Sequence, residues 1–207
     1  MIKINCEQRS ECWFQVRAGR VTGTRFIELM AGEKTAAFQR LINNLVVEII
    51  TGKIEEGYCS PIMENGIRQE PFAREEYSQI MGIEVEQTGF IIPDEENPFH
   101  EWIGISPDGL LPDRGLLEIK CPLRRTHLEY IFANKLPAEY RYQVQGQLFV
   151  TSSDYVDFMS YVEDMKPFII RVYPDRELFD EFEKRLNLLI PEVKRKLEIY
   201  NNYDYLS

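Results

Sequence analysis

The stretch ISPDGLLPDRGLLEIKCP, residues 105–122, decides how this chain is read. It sets Asp108 between Ser-Pro and Gly, leaves nine residues, and returns with Glu118-Ile119-Lys120 on a strand-like run. Residues two apart on a strand share a face, so Glu118 and Lys120 point the same way while Ile119 points into the core. The segment "PDRG" (112–115) is a turn, and it allows "WIGIS" (102–106) and "LLEIK" (116–120) to pair as neighbours and bring Asp108 against Glu118. Two carboxylates at one end of a sheet form a hard oxygen site suited to magnesium or manganese. A lysine beside them can orient or help deprotonate a water, or neutralise charge on a phosphoryl group. A salt-bridged surface hairpin would use the same residue types, and a bare D-x9-E-x-K arises by chance. The flanking Pro107, Gly109, the apolar run into Glu118 and the closing Cys121-Pro122 make the pattern more specific.

The rest of the chain bounds the setting. Its 207 residues fit one domain, 1–207, with 44% hydrophobic and 28% charged residues. The N-terminus lacks an apolar signal segment, and nothing downstream is apolar enough to span a membrane, so a cytoplasmic protein is expected. Cys6, Cys12, Cys59 and Cys121 are scattered without a CxxC pair, which argues for reduced thiols rather than a zinc knuckle or disulfide scaffold. A net charge of −10 speaks against a passive nucleic-acid binder. It does not exclude an enzyme whose acidic residues hold metal and whose basic residues cluster in one groove.

Periodicity predicts a short helix over 24–31 with Thr24 as cap, a longer one over 35–51 ending at Gly52, and another from Pro61 to Met81 kinked or restarted at Pro71. Strands are expected at 83–92, 102–106, 116–121, 155–162 and 168–173. Helices are expected over 124–135 and 138–151 and from Asp175 to Tyr200, the last bent at Pro191. This order describes an α/β or α+β domain with a central mixed β-sheet flanked by helices.

"SPDGL…LLEIKCP" resembles the core of the PD-(D/E)xK nuclease superfamily, in particular the phage lambda exonuclease-like viral recombinases. Three further blocks fit in order. "CWFQVRAGRVTGT" (12–24) is similar to that family's W-x3-R-x-G-x-[IV]-T-[AG]-[ST] block, "ENGIRQEPFAREEY" (64–77) to its G-x3-E helix, and "YRYQVQGQLFVT" (140–151) to its Q-x-Q helix. The resemblance implies a PD-(D/E)xK restriction-endonuclease-like core. It also implies a magnesium-dependent 5′→3′ exodeoxyribonuclease that works from double-stranded DNA ends, releases 5′-mononucleotides and leaves a 3′ overhang for annealing recombination.

Residue by residue, it implies that Asp108, Glu118, Glu70 and the carbonyl of Ile119 hold two magnesium ions, with manganese able to substitute. Lys120 would act on the attacking water. Arg17, Thr24 and Ser106 would receive the 5′-phosphate, and Gln143 would lie beside the site. Arg20 is the nearest alternative to Arg17. Gln145 and Gln147 read as spacing companions, although Gln147 shares a face with Gln143. Trp13 and Trp102 read as support residues, and His100 and His127 have no partner at metal spacing. The family also implies a homo-oligomer, a trimeric ring, acting with a single-strand annealing protein in the bacterial host of a phage or prophage. Two other functions remain open: a structure-selective or restriction-type endonuclease on the same core, and an inactive acidic module that mimics DNA.

Overall fold

The apolar run that leads into Glu118 forms an inner strand of a four-stranded mixed sheet. A computed structural model describes residues 1–54 and 61–204, and Cys59 lies outside them. Two three-residue strands, β1 (Ile2–Ile4) and β2 (Phe90–Ile92), pair antiparallel as a separate ribbon. The principal sheet runs β3 (Gly109–Leu111), β4 (Gly115–Lys120), β5 (Tyr155–Ser160) and β6 (Phe168–Val172). Its pairings are antiparallel, parallel and antiparallel in that order.

Seven helices surround the strands among the described residues. They are α1 (Glu11–Arg17), α2 (Phe26–Leu29), α3 (Ala36–Thr51), α4 (Pro61–Met81), α5 (Arg124–Ala133), α6 (Arg141–Thr151) and α7 (Arg176–Asn201). The parallel β4–β5 pair requires a crossover, and α5 and α6 supply it. No helix among the described residues is long and apolar enough to cross a membrane.

Both faces of β4 are covered, which is why five of its six residues are buried in unbroken sequence. Leu116 joins the large core formed with α3, α6 and α7. Leu117 and Ile119 point the other way, onto Ala73 and Tyr77 of α4. Glu118 and Lys120 therefore share the α6 side with Leu116, as strand parity requires.

Helix ends follow local chemistry. Thr35 caps α3 by accepting from the Phe38 amide, and Gly52 closes it at φ +66°. Asp175 caps α7 through the Leu178 amide. The structure carries α4 through Pro71 and α7 through Pro191 as single helices, so neither proline restarts its helix. Packing of α4 on β4 and of α7 on α3 compensates for the one backbone hydrogen bond each proline removes.

The central mixed sheet flanked by helices is as expected, with corrections in how segments pair. Residues 102–106 do not pair with β4. Ile103 bridges to Val21 and Ile105 to Ile91, while the partner of β4 is β3. Within 83–92 only 90–92 is a strand, with Glu86 bridging to Leu110. The expected helix at 24–31 is a 3-10 turn (Gly23–Arg25) followed by the one-turn α2. The residue preceding that turn is Thr22 rather than Thr24. A preference for extended backbone says that a segment is strand-like but not which neighbour satisfies its hydrogen bonds.

The block 17–25 is anchored by a buried carboxylate. Glu48 of α3 is 3% exposed and accepts from the Gly19 amide at 3.0 Å and from Arg25 Nη1 at 2.8 Å, with Arg25 Nη2 on its other oxygen. Gly19 is left-handed (φ +76°), and a Cβ there would lie 2.7 Å from Ile49 Cγ1, so only glycine fits. Breaking a buried pair by removing one partner leaves an uncompensated charge. Glu48→Ala is expected to lower unfolding free energy by about 3–5 kcal/mol, read from the urea midpoint at unchanged slope.

Candidate active site

The turn between β3 and β4 positions Asp108. Asp113 and Arg114 both have positive φ (54° and 59°), and the Gly115 amide donates to the Pro112 carbonyl at 3.2 Å, forming a type I′ turn. The resulting register sets Gly109 opposite Leu117. One residue earlier, the Asp108 amide donates to the Leu117 carbonyl at 3.0 Å, and Asp108 Oδ2 accepts from the Ile119 amide at 2.6 Å. A strand residue presents its N–H and C=O to the same side. The Ile119 carbonyl therefore faces the Asp108 side, whereas the Lys120 carbonyl is taken by Tyr161 on the β5 side.

Glu118 is 1% exposed, and three donors answer its charge. Lys120 Nζ and Gln143 Nε2 meet Oε1, each at 2.5 Å, and Gln147 Nε2 meets Oε2 at 2.5 Å. Gln147 thus does more than keep spacing, and its signal in the sequence was the four-residue step from Gln143 that puts both on one helix face. Gln145 faces away, donating to the Tyr173 carbonyl and accepting from the Asp175 amide, so it ties α6 to the start of α7. Lys120 Nζ also lies 5.1 Å from the Tyr140 ring centroid.

Glu70, on α4, is gripped from two directions. Arg74 Nη2 donates to Oε1 at 2.7 Å, and Arg9 Nη2 donates to Oε2 at 3.0 Å. Arg74 Nε also donates to the Asp108 carbonyl at 2.9 Å, bridging α4 to the aspartate. Arg74 stands at the helical i+4 step from Glu70, a local signal, whereas nothing local marks Arg9 as reaching Glu70 or Arg74 as reaching Asp108.

These groups share one electrostatic field. Burial first, then the charges of Glu118 and Glu70, push the Asp108 carboxyl well above the usual carboxylate range, against the pull of Lys120 and the Ile119 amide. Burial opposes the Lys120 ammonium, but Glu118 and Asp108 overcome it and raise its pKa. Burial and the same Asp108 and Glu70 charges push the Cys121 thiol up to about 12, so it is protonated and inert at neutral pH. Cys121 is half-buried, and Pro122 follows the end of β4 before α5.

Among the described residues, no three Asp, Glu, His or Cys side chains close on one point where an ion would sit. Each carboxylate turns instead to a neighbouring donor. The donor chemistry nonetheless fits a hard divalent cation: three carboxylates and a strand carbonyl on one side, with an Asp108 charge that a cation would relieve.

The second cluster lies across Gln143, whose side chain packs against Gly23. Arg17 stacks over Trp13 at 3.9 Å and donates to Ser106 Oγ at 3.3 Å and Thr22 Oγ1 at 3.4 Å. Trp13 Nε1 donates to the same Ser106 hydroxyl at 2.8 Å. Arg17 Nε is buried without a partner, and among the described residues no carboxylate forms a salt bridge with Arg17. Burial, and then the nearby Arg25 charge, lower the Arg17 pKa to about 10, partly offset by Glu48.

Arg17 and Ser106 thus meet as the sequence suggested. Thr24 does not join them: it is exposed, and Thr22, 2% exposed, contacts Arg17 instead. Arg20 turns back to the Val16 carbonyl. His127 is buried against Ser160 and the Lys166 carbonyl, and His100 contacts the Pro93 carbonyl, so both serve the scaffold. Trp102 packs on the main core.

The raised Asp108 pKa has a stability consequence. A group whose folded pKa exceeds its unfolded value stabilises the fold at acid pH, and that contribution is lost as pH rises through the folded value. With chelator present, Asp108→Asn is therefore expected to melt above wild type near about pH 9, by about 2–4 °C per kcal/mol relieved, with the gap closing toward about pH 4. Thermal melts across that range check the sign.

Comparison with known proteins bears on the family and the fold. The YqaJ-like viral recombinase domain matches residues 12–154. An alkaline exonuclease (LHK-Exo) from Laribacter hongkongensis is 34% identical, with TM-score 0.82 over 93% of this chain and 96% of that one. LHK-Exo in complex with dAMP is 33% identical at the same TM-score, over 92% and 96%. A phage related exonuclease from Haemophilus somnus 129PT shares the fold, with TM-score 0.63 and 16% identity over 86% and 95%. No curated protein matches the sequence. With the family's domain spanning all four motif blocks, this chain belongs to the YqaJ-like viral recombinase family, the lambda exonuclease-like branch of the PD-(D/E)xK nucleases.

Proposed function

We propose that the chain is a divalent-metal-dependent deoxyribonuclease that digests one strand of double-stranded DNA from its ends in the 5′→3′ direction. The observation that carries this reading is the juxtaposition of two unlike clusters across Gln143. On one side lie Asp108, Glu118 and Lys120 with Glu70 nearby, and on the other lies an arginine, Arg17, without a salt-bridge partner. The first suits hydrolysis of a phosphodiester, the second a terminal phosphate. LHK-Exo, an alkaline exonuclease crystallised with dAMP, supports the assignment by similarity.

In this reading Asp108, Glu118, Glu70 and the Ile119 carbonyl hold the metal, two magnesium ions or manganese in their place. When bound, the ions supply Lewis-acid stabilisation of the attacking and leaving oxygens. The chain's own residues do the rest. Lys120, which keeps its proton beside Glu118, donates to the attacking water and orients it toward phosphorus. Gln143 and Gln147 hold Glu118 in one rotamer. Water adds to phosphorus, the bond to the 3′ oxygen of the departing nucleotide breaks, and that oxygen takes up the proton that the water gives up. The product is a 5′-mononucleotide, and the shortened strand carries a new 5′-phosphate.

Arg17, with Ser106 and Thr22, receives that phosphate and thereby sets direction. Thr24 keeps a part only through the N-terminal side of the turn it occupies. Residues 1–207 would act as one nuclease unit in the bacterial cytoplasm. The 3′ overhang would pass to a single-strand annealing protein. A trimeric ring would concentrate basic residues around DNA despite the chain's net charge of −10.

The test uses linear duplex with 5′-phosphate or 5′-hydroxyl ends and covalently closed circular duplex, each with Mg²⁺ or with chelator. Mononucleotide release from linear duplex alone, dependent on Mg²⁺, is expected. Cutting of closed circles would favour an endonuclease, and no release from any substrate would favour the acidic DNA-mimic reading. Lys120→Ala should lower turnover about 10²–10⁴-fold while DNA binding persists. Arg17→Ala should narrow the preference for 5′-phosphate over 5′-hydroxyl ends by about 10–100-fold, the worth of a charge-assisted contact, whereas Arg20→Ala should leave it unchanged.

A further inference from the structure

The two arginines on Glu70 differ in kind. Arg74 is largely buried and anchored twice, on Glu70 Oε1 and on the Asp108 carbonyl, so it belongs to the frame of the site. Arg9 reaches Oε2 from the N-terminal segment, and its side chain is 44% exposed. Its backbone is left-handed, φ +69°, a conformation that an arginine enters only at a cost. Glycine or asparagine would hold that turn more readily, so the strain is retained where the side chain closes on Glu70. Arg9, Glu70 and Asp108 also share the wall of a cavity of about 650 Å³, which gives the guanidinium somewhere to go. Arg9 lies before the segment matched by the family, 12–154.

We propose that Arg9 is an exchangeable placeholder for the divalent cation at Glu70. The inference rests on the reading of Asp108, Glu118 and Glu70 as a cation site. Before a cation binds, three carboxylates in one field repel each other, and the Arg9 guanidinium offsets part of that repulsion at Glu70 Oε2. A dication held by Asp108 and Glu70 would repel the guanidinium. A half-solvated ion pair is weakly held, so Arg9 yields and swings into the cavity, while Arg74 stays on the Asp108 carbonyl. Arg9 thus keeps Glu70 aimed, at the price of a lower affinity for the ion.

This predicts an affinity change opposite to that of a supporting residue. Mg²⁺ is titrated by calorimetry into the chelator-stripped full chain for wild type, Arg9→Gly, Arg9→Lys and Asp108→Asn, with thermal melts confirming that each is folded. Glycine keeps the left-handed backbone without strain while removing the charge. Arg9→Gly is expected to bind Mg²⁺ about two- to fivefold more tightly than wild type, the range a partly exposed ion pair commands. Arg9→Lys, which keeps the charge, should stay within about twofold of wild type, and Asp108→Asn should lose binding. If Asp108→Asn abolishes binding but Arg9→Gly binds equally or more weakly than wild type, the placeholder is overturned and the cation site stands. If wild type does not bind Mg²⁺, or Asp108→Asn binds as wild type does, the cation site fails and the placeholder with it.

Discussion

A glutamate at 1% exposure in the middle of a sheet is the constraint around which this molecule is arranged. An ionised carboxylate cannot be taken out of water unless donors replace the solvent, and Glu118 obtains three of them. One comes from its own strand, and two come from α6. That requirement fixes the height and rotation of α6 over β4, because Gln143 and Gln147 must both reach the same side chain. Gln145, on the opposite side of the same helix, then locks α6 to the beginning of α7. The crossover that a parallel β4–β5 pair demands is thereby made to carry the polar shell of the site.

The second organising feature is a concentration of negative charge that the fold tolerates rather than avoids. Asp108 is held against Glu118 and Glu70 by a backbone amide and by the Arg74 bridge, and its carboxyl is pushed up as a result. Such an arrangement costs stability and is retained where it serves chemistry. The surroundings supply the stability elsewhere: Tyr77, fully buried under the sheet, donates to Asp157, which Arg171 grips through two nitrogens. The buried Glu48–Arg25 pair braces the block that carries Arg17.

The Arg17 cluster shows the converse arrangement, a cation without a matching anion. Trp13 stacks beneath the guanidinium and donates to Ser106, so the aromatic ring supports both members of the pocket. Glu48 could have neutralised Arg17, but Arg25 occupies it. The buried Nε of this planar guanidinium is left without a partner, while its two terminal nitrogens donate to Ser106 and Thr22.

The sequence by itself determined whatever depends on local parity. The two-residue step from Glu118 to Lys120 placed both on one face of β4, the four-residue step from Gln143 to Gln147 placed both on one face of α6, and the apolar spacing of α3 and α7 marked their buried sides. These relations hold because strand and helix geometry repeat within a few residues. The order of motif blocks then located Asp108, Glu70 and Arg17 in one family pattern. Tertiary structure alone decided which segments meet. Segment 102–106 is as strand-like as β3, yet β3 takes the edge of β4 because the two-residue turn at Asp113–Arg114 closes that hairpin at short range. Thr22, not Thr24, faces Arg17 because the chain tightens into a 3-10 turn at Gly23. Arg74 meets Glu70 by the same four-residue helical step, but Arg9 reaches it from 61 residues away, and no periodicity encodes that meeting. Contacts between distant segments are chosen by the summed burial and hydrogen bonding of the whole fold, and so they become legible only once the chain is folded.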